Sequence, residues 1–144
     1  MFTDSNVYPI SVSGNIVDAV RAGRYDLFND SVNDQFFTAD QPHDCDLILK
    51  HFSKNMRVDP VLAILDAEGL RPATMSELLA LGAQHSDLQR RFHIAALGSV
   101  WHNLRGYSNV GYLSGNAGFR ALHLYGYDIR WDASDCFAAV RKVA

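Results

Sequence analysis

Apolar residues recur at helical spacing in the first and middle parts of the chain, and at strand spacing early and late. Ile16, Val17 and Val20 predict a short helix. Gly23 would end it, because glycine tolerates the left-handed conformation past a helix end. Val32, Phe36 and Phe37 predict a further helical turn, and Thr38 to Asp44 reads as a loop. From Asp44 to Phe52, Cys45, Leu47, Leu49 and His51 alternate with Asp46, Ile48, Lys50 and Phe52, which predicts a strand. Asp59 as N-cap, Pro60 at the first helical position and Gly69 as stop frame a second helix carrying Val61, Leu62 and Leu65. Thr74 and Glu77 then form a capping box, in which each side chain satisfies a backbone N–H at the helix start. Met75, Leu78, Leu79 and Leu81 supply the buried stripe, and Gly82 is the expected stop. Ser86 to Phe92 predicts a short helix. Ile94–Trp101, Arg120–Tyr125 and Cys136–Arg141 read as strands separated by loops rich in glycine, asparagine and tyrosine.

Strands segregated from helices predict an α+β domain with an antiparallel sheet rather than alternating βαβ units. Residues 1–13 are turn-rich and read as loosely packed or as an added edge strand. At 144 residues the chain has the size of one domain. Residues 1–57 would carry the N-terminal helices and first strand, and 58–144 the remaining helices, strands and loops. Hydrophobic residues make up 48% and charged residues 20%, and the formal net charge is -3. That balance argues against nucleic-acid binding through general electrostatics. No apolar run approaches the roughly 18 residues of a membrane span, and no leader pattern is seen, so a soluble cytoplasmic protein is expected. Cys45 and Cys136 read as free thiols.

Few patterns suggest catalysis. The six histidines form no HExxH and no CxxC exists, so no metal or cofactor is expected. Gly98-Ser99-Val100-Trp101 is not a nucleophile elbow. Gly111 to Gly115 lacks the lysine of a phosphate cradle. The two glutamates, Glu68 and Glu77, are explained by helix surface and capping.

The last third is unusual in composition. There is no Lys or Glu between Leu78 and Arg141, no Gln after Gln89 and no Met after Met75. Four of the six tyrosines fall there. Surfaces rich in Tyr, Ser, Gly and Asn serve as paratopes, since tyrosine gives contact area at low entropic cost. The candidate ligand-binding residues are His102, Asn103, Tyr107, Ser108, Asn109, Tyr112, Asn116, His123, Tyr125, Tyr127 and Asp128. Leu122 and Leu124 should face the core, sending Ala121, His123 and Tyr125 outward.

Arg71-Pro72-Ala73-Thr74-Met75-Ser76-Glu77-Leu78 and the closing Asp135-Cys136-Phe137-Ala138-Ala139-Val140-Arg141-Lys142 resemble the helix start and last strand of formylglycine-generating-enzyme-like domains. The resemblance spans about residues 58–142. It implies a C-type-lectin-like fold: two main helices packed on a mostly antiparallel sheet, with long C-terminal loops and the last strand paired to an early one. Enzymes of that group use a pair of site cysteines, and only Cys136 lies in the matching half, so that activity is not implied. Trp131-Asp132-Ala133 also lacks the asparagine of the calcium-dependent sugar motif. Within this fold group, the composition is similar to that of variable proteins of diversity-generating retroelements. There, adenine-specific errors at AAC-type codons cannot produce Lys, Glu, Gln, Met or Trp. Trp101 and Trp131 would then be fixed scaffold residues. The expected function is a non-catalytic module binding a protein or other macromolecule. The alternatives are a small phage or mobile-element inhibitor of one fixed partner, or an enzyme whose site assembles only in three dimensions.

Overall fold

The computed structural model describes residues 7–143; the expectation for residues 1–6 lies outside the described residues. The elements run β1 (Val7–Val12), α1 (Ile16–Gly23), β2 (Leu27–Phe28), β3 (His43–His51), α2 (Val58–Ala67), β4 (Leu70–Pro72), α3 (Met75–Gln84), α4 (Leu88–Arg91), β5 (His93–His102), β6 (Ser108–Asn116), β7 (Phe119–Gly126) and β8 (Asp135–Arg141). The fold is α+β. One mixed sheet runs β1-β3-β8-β5-β6-β7-β2, and β4 pairs with β8 off that path. The last strand lies antiparallel to β3, with Leu47 opposite Val140 and His51 opposite Cys136. The sheet thus joins both halves of the chain.

β8 is buried from Asp135 to Val140, and its second edge is divided. Asp135 to Phe137 pair with β5 in parallel, and Ala139 to Arg141 pair with β4 antiparallel. Ala73, just past β4, forms the wedge: its N–H donates to Ala138 O at 2.9 Å and its carbonyl accepts from Gly98 N at 2.8 Å. A Cβ on Gly98 would lie 2.5 Å from the Ala73 carbonyl oxygen, so only glycine fits that approach.

Apolar cores lie on both faces of the sheet. Ile94, Ala96, Leu113, Leu122, Cys136 and Ala138 meet α1, α3 and α4, together with Val32 and Phe37. Ala95, Leu97, Val110, Tyr112, Phe137 and Ala139 meet α2, Met56 and Trp131. The alternation of neighbours between the two sets is the period-2 signature of strands. α3 is buried from Met75 to Gly82 on all sides rather than along one stripe.

Several boundaries differ from the sequence reading, each for a local reason. Gly23 is the last residue of α1, and Arg24 beyond it takes the left-handed conformation at φ 51°. Gly82 lies inside α3, which runs on to Gln84. Both glycines face the Tyr25 ring: a Cβ would lie 2.3 Å from it at Gly23 and 2.1 Å from its hydroxyl at Gly82. They are glycines for closeness, not for stopping a helix. α2 begins before Asp59, which lies in its first turn instead of capping it; a carboxylate there still favours the positive end of the helix dipole. Strand β6 falls where only loop was expected. Ala121 is buried, not outward, and Leu124 is only half-buried.

Arg120, at the start of β7, ties the helical layer to the sheet. Its side chain is buried. It donates to the carbonyls of Gly23, Gly82 and Ser86 and to Gln89 Oε1, and its guanidinium lies 4.9 Å from the Tyr25 ring centroid. At the outer edge of β1, Gln84 accepts from Ser11 N and donates to Ser11 O, both at 2.8 Å. His85 Nε2 meets the Pro9 carbonyl at 2.7 Å. Side chains thus stand where a further strand would pair.

Arg120→Lys keeps the charge but not the fork of donors. It is expected to lower the unfolding free energy by roughly 1.5–3 kcal/mol, the value of hydrogen bonds to a charged group. Urea denaturation checks this; an unchanged midpoint would remove Arg120 from its role as a tie.

Candidate functional site

The β5–β6 hairpin turn is shaped by its own backbone and by Asn103. Asn103 N donates to Tyr107 O at 2.9 Å, and Gly106 N donates to Asn103 O at 2.9 Å. Asn103 Oδ1 also accepts from Arg105 N at 3.0 Å and Tyr107 N at 3.1 Å, the self-bonding for which asparagine is favoured in turns. Gly106 has φ 83°, which only glycine adopts without strain. His102 Nδ1 lies 2.8 Å from Ser108 Oγ across the hairpin, and Asn109 Nδ2 donates to Tyr107 O at 3.2 Å. These polar side chains hold the loop, while Leu104, Arg105 and Tyr107 project to solvent.

Two grooves flank this tip. One, of about 330 Å³, includes Asn103, Tyr107, Ser108, Asn109, Asp128 and Ile129 in its walls. The other, of about 550 Å³, lies against Phe36, Trp101, His102 and Leu104. Its wall is fixed by stacking of Phe36 on Trp101 at 4.4 Å.

Below the tip, on the α2 face, lies an aromatic stack. Tyr125 is 40% exposed and stacks on Tyr112 with centroids 4.1 Å apart. His123 lies 6.0 Å from Tyr125. Tyr127 is half-buried, and burial followed by the charges of Asp59 and Asp128 pushes its hydroxyl up. Tyr112 itself is buried. Its hydroxyl donates to Asp135, and burial, then that carboxylate, keep it protonated. Tyr112 is therefore a floor residue beneath Tyr125, not the surface residue the sequence suggested. Asn116 is the other correction. It sits in the β6–β7 turn at the far end of β6, about 26 Å from Ser108 at the usual strand rise, and its Oδ1 accepts from Gly118 N at 2.9 Å.

A second cluster was only partly visible in the sequence. The capping box exists: Glu77 N donates to Thr74 Oγ1 at 3.2 Å, and Thr74 N to Glu77 Oε1 at 2.9 Å. The Glu77 side chain is fully buried. Arg71 grips it bidentately, Nη1 to Oε1 at 2.8 Å and Nη2 to Oε2 at 2.7 Å. His43 Nε2 lies 2.8 Å from Oε2, and Cys45 Sγ donates to the same oxygen at 3.6 Å. Thr74 Oγ1 donates to Asp40 Oδ2 at 2.5 Å. Burial alone would raise the Glu77 pKa, but Arg71, the Thr74 amide and His43 outweigh it and hold the carboxyl at about 2. Burial, then Glu77, push the Cys45 thiol up to about 11. The thiol is therefore not an activated nucleophile at neutral pH. The missed signal was the strand spacing of His43 and Cys45, which sets both on one face of β3.

Comparison with protein-family models, with curated proteins and with solved structures gives no match to this chain.

Because the folded pKa of Glu77 lies below the ordinary 4.5, its contribution to stability is present above that pH. It is lost as pH falls towards about 2. Thermal midpoints measured from neutral pH downward should drop through this window in the native protein, and less steeply in Glu77→Gln. Parallel curves would assign the acid transition to other carboxylates. Independently, Thr74→Ala should cost roughly 0.5–2 kcal/mol in denaturant unfolding, the usual loss for an N-cap.

Proposed function

We propose that this chain is a non-catalytic ligand-binding module with a C-type-lectin-like fold, whose hairpin tip and β7–β8 loop form an adaptable contact surface diversified by a retroelement. The observation that carries this reading is a division of labour at the β5–β6 tip. Asn103, Gly106 and the His102–Ser108 pair fix the shape of the turn. Leu104, Arg105 and Tyr107 then carry exposed side chains that can change without changing that shape. Exposed aromatic and arginine side chains on a rigid frame are the residues that dominate binding energy.

Three further features support it. Tyr107, Ser108, Asn109 and Asp128 share one groove with Asn103. Arg71, Thr74 and Glu77, which carry the family resemblance, meet in one ion pair and cap. The closing strand pairs with the early strand β3, as the lectin-like topology requires.

Two measurements test the reading. A displayed library randomised at Leu104, Arg105, Tyr107 and Asp128 should stay folded in most members, since exposed positions usually shift stability by no more than about 0.5 kcal/mol. Randomising Tyr112, Trp131 or Arg120 should abolish folding in most. Sequencing copies of the gene from one population should show substitutions concentrated at exposed positions between 102 and 128, in AAC-type codons, beside a near-identical template repeat. Variation spread evenly over the chain would sink the diversification reading. A library that unfolds would sink the adaptable surface.

A further inference from the structure

The Glu77 cluster raises a question of protons. His43 has an acceptor at each ring nitrogen: the Gln41 carbonyl 2.8 Å from Nδ1, and Glu77 Oε2 2.8 Å from Nε2. A neutral imidazole carries one N–H and can serve only one of them. Donation from Nδ1 to a backbone carbonyl is the bond that orients metal-ligating histidines, and it leaves the Nε2 lone pair aimed at the carboxylate. In the tautomer protonated at Nδ1, a cation or a second proton has to stand between that lone pair and the carboxylate. The Gln41 carbonyl and then Glu77 raise the His43 pKa, so both favour a positive charge at this ring. Cys45 presents its S–H to the same oxygen. His43 Nε2, Cys45 Sγ and Arg71 Nη2 thus converge on one carboxylate oxygen, and the first two form with it a set of N, S and O donors lying inside 4.8 Å of one another.

We propose that His43 Nε2, Cys45 Sγ and Glu77 Oε2 form a binding site for one divalent cation of the zinc class. One nitrogen, one sulfur and one carboxylate oxygen are the donor types zinc takes, with a fourth position left to water. The cation enters and the thiol proton leaves to solvent, followed by the second imidazole proton wherever His43 carries one. Where both protons leave, the net charge of the cluster is unchanged; where only the thiol proton leaves, the added positive charge faces the neighbouring Asp40 and Asp46.

The geometry needs little movement. Donors in a tetrahedral zinc sphere lie roughly 3.3–3.7 Å apart, given bonds of about 2.0–2.3 Å. The His43–Glu77 distance of 2.8 Å has to open slightly, and His43 is the partly exposed partner, at 32% against 0% for Glu77. Glu77 Oε1 keeps Arg71 Nη1 and the Thr74 amide, so the helix cap survives. Bound there, the cation would staple β3 to the start of α3.

The experiment is a titration of the untagged full-length chain with Co²⁺, as the spectroscopic stand-in for zinc. One equivalent should give a thiolate-to-cobalt charge-transfer band and tetrahedral d–d bands, with release of the Cys45 thiol proton in weakly buffered indicator solution at neutral pH. Cys45→Ser should abolish the charge-transfer band. His43→Ala should weaken binding at least tenfold, and Cys136→Ala should leave both unchanged. Zn²⁺ should raise the thermal midpoint of the native chain and not of Cys45→Ser. The native chain needs no substitution to fold, so absence of the thiolate band at saturating Co²⁺ overturns the proposal by itself. Survival of the band in Cys45→Ser overturns it as well.

Discussion

The guanidinium of Arg120 is buried among carbonyl oxygens rather than beside a carboxylate, and the assembly of the helical layer follows from how that charge is held. An unpaired buried cation would cost several kcal/mol. Here the Gly23 carbonyl closes α1 and the Gly82 carbonyl lies near the end of α3, so the negative ends of two helix dipoles converge on one positive group. The ring of Tyr25 covers it. That ring in turn requires Gly23 and Gly82 to lack side chains. α1, α3, α4 and β7 are thereby fixed to one another at a single point. β7 carries β6 through an antiparallel ladder from Asn109 to Asn116, and β6 carries the hairpin tip.

Charge placement on the other side of α3 follows the same logic with opposite sign. Glu77 is a buried anion gripped by Arg71, capped by the Thr74 amide and flanked by His43. One helix is therefore tied at its first turn through a carboxylate and near its end through a carbonyl. It can then be buried on all sides without leaving a charge unpaired.

Local chemistry decided how much of this was legible in the sequence. The Thr74–Glu77 box, the alternation through β3 and the apolar run of β8 are short-range patterns, and they appear as read. β6 was invisible because its glycines look like loop residues. Gly111 is small because Leu78 and Met75 press on it, and Gly115 because the Phe119 carbonyl does; both causes lie on other elements. Tyr112 looked like a surface tyrosine because composition does not reveal that Asp135 waits for its hydroxyl. Asn116 was grouped with the tip because, without β6, nothing separated the two ends of a strand. Nothing beside Arg71 or Arg120 in the sequence marks their side-chain partners, which lie 6 to 97 residues away.

The capping of β1 by Gln84 and His85 bears on what happens when copies of this chain are crowded together. An open sheet edge offers a row of unpaired N–H and C=O groups to the next molecule. On β1, Ser11 already has both backbone groups bonded to Gln84, and Pro9 has no N–H to offer. The opposite edge is the two-residue β2, too short to template a ladder. Resistance to filament growth thus resides in the end of α3 and in β1, four places along the sheet from β6. Changes of sequence at the hairpin tip leave that barrier untouched, so stickiness towards a ligand and stickiness towards another copy are set by different parts of the chain.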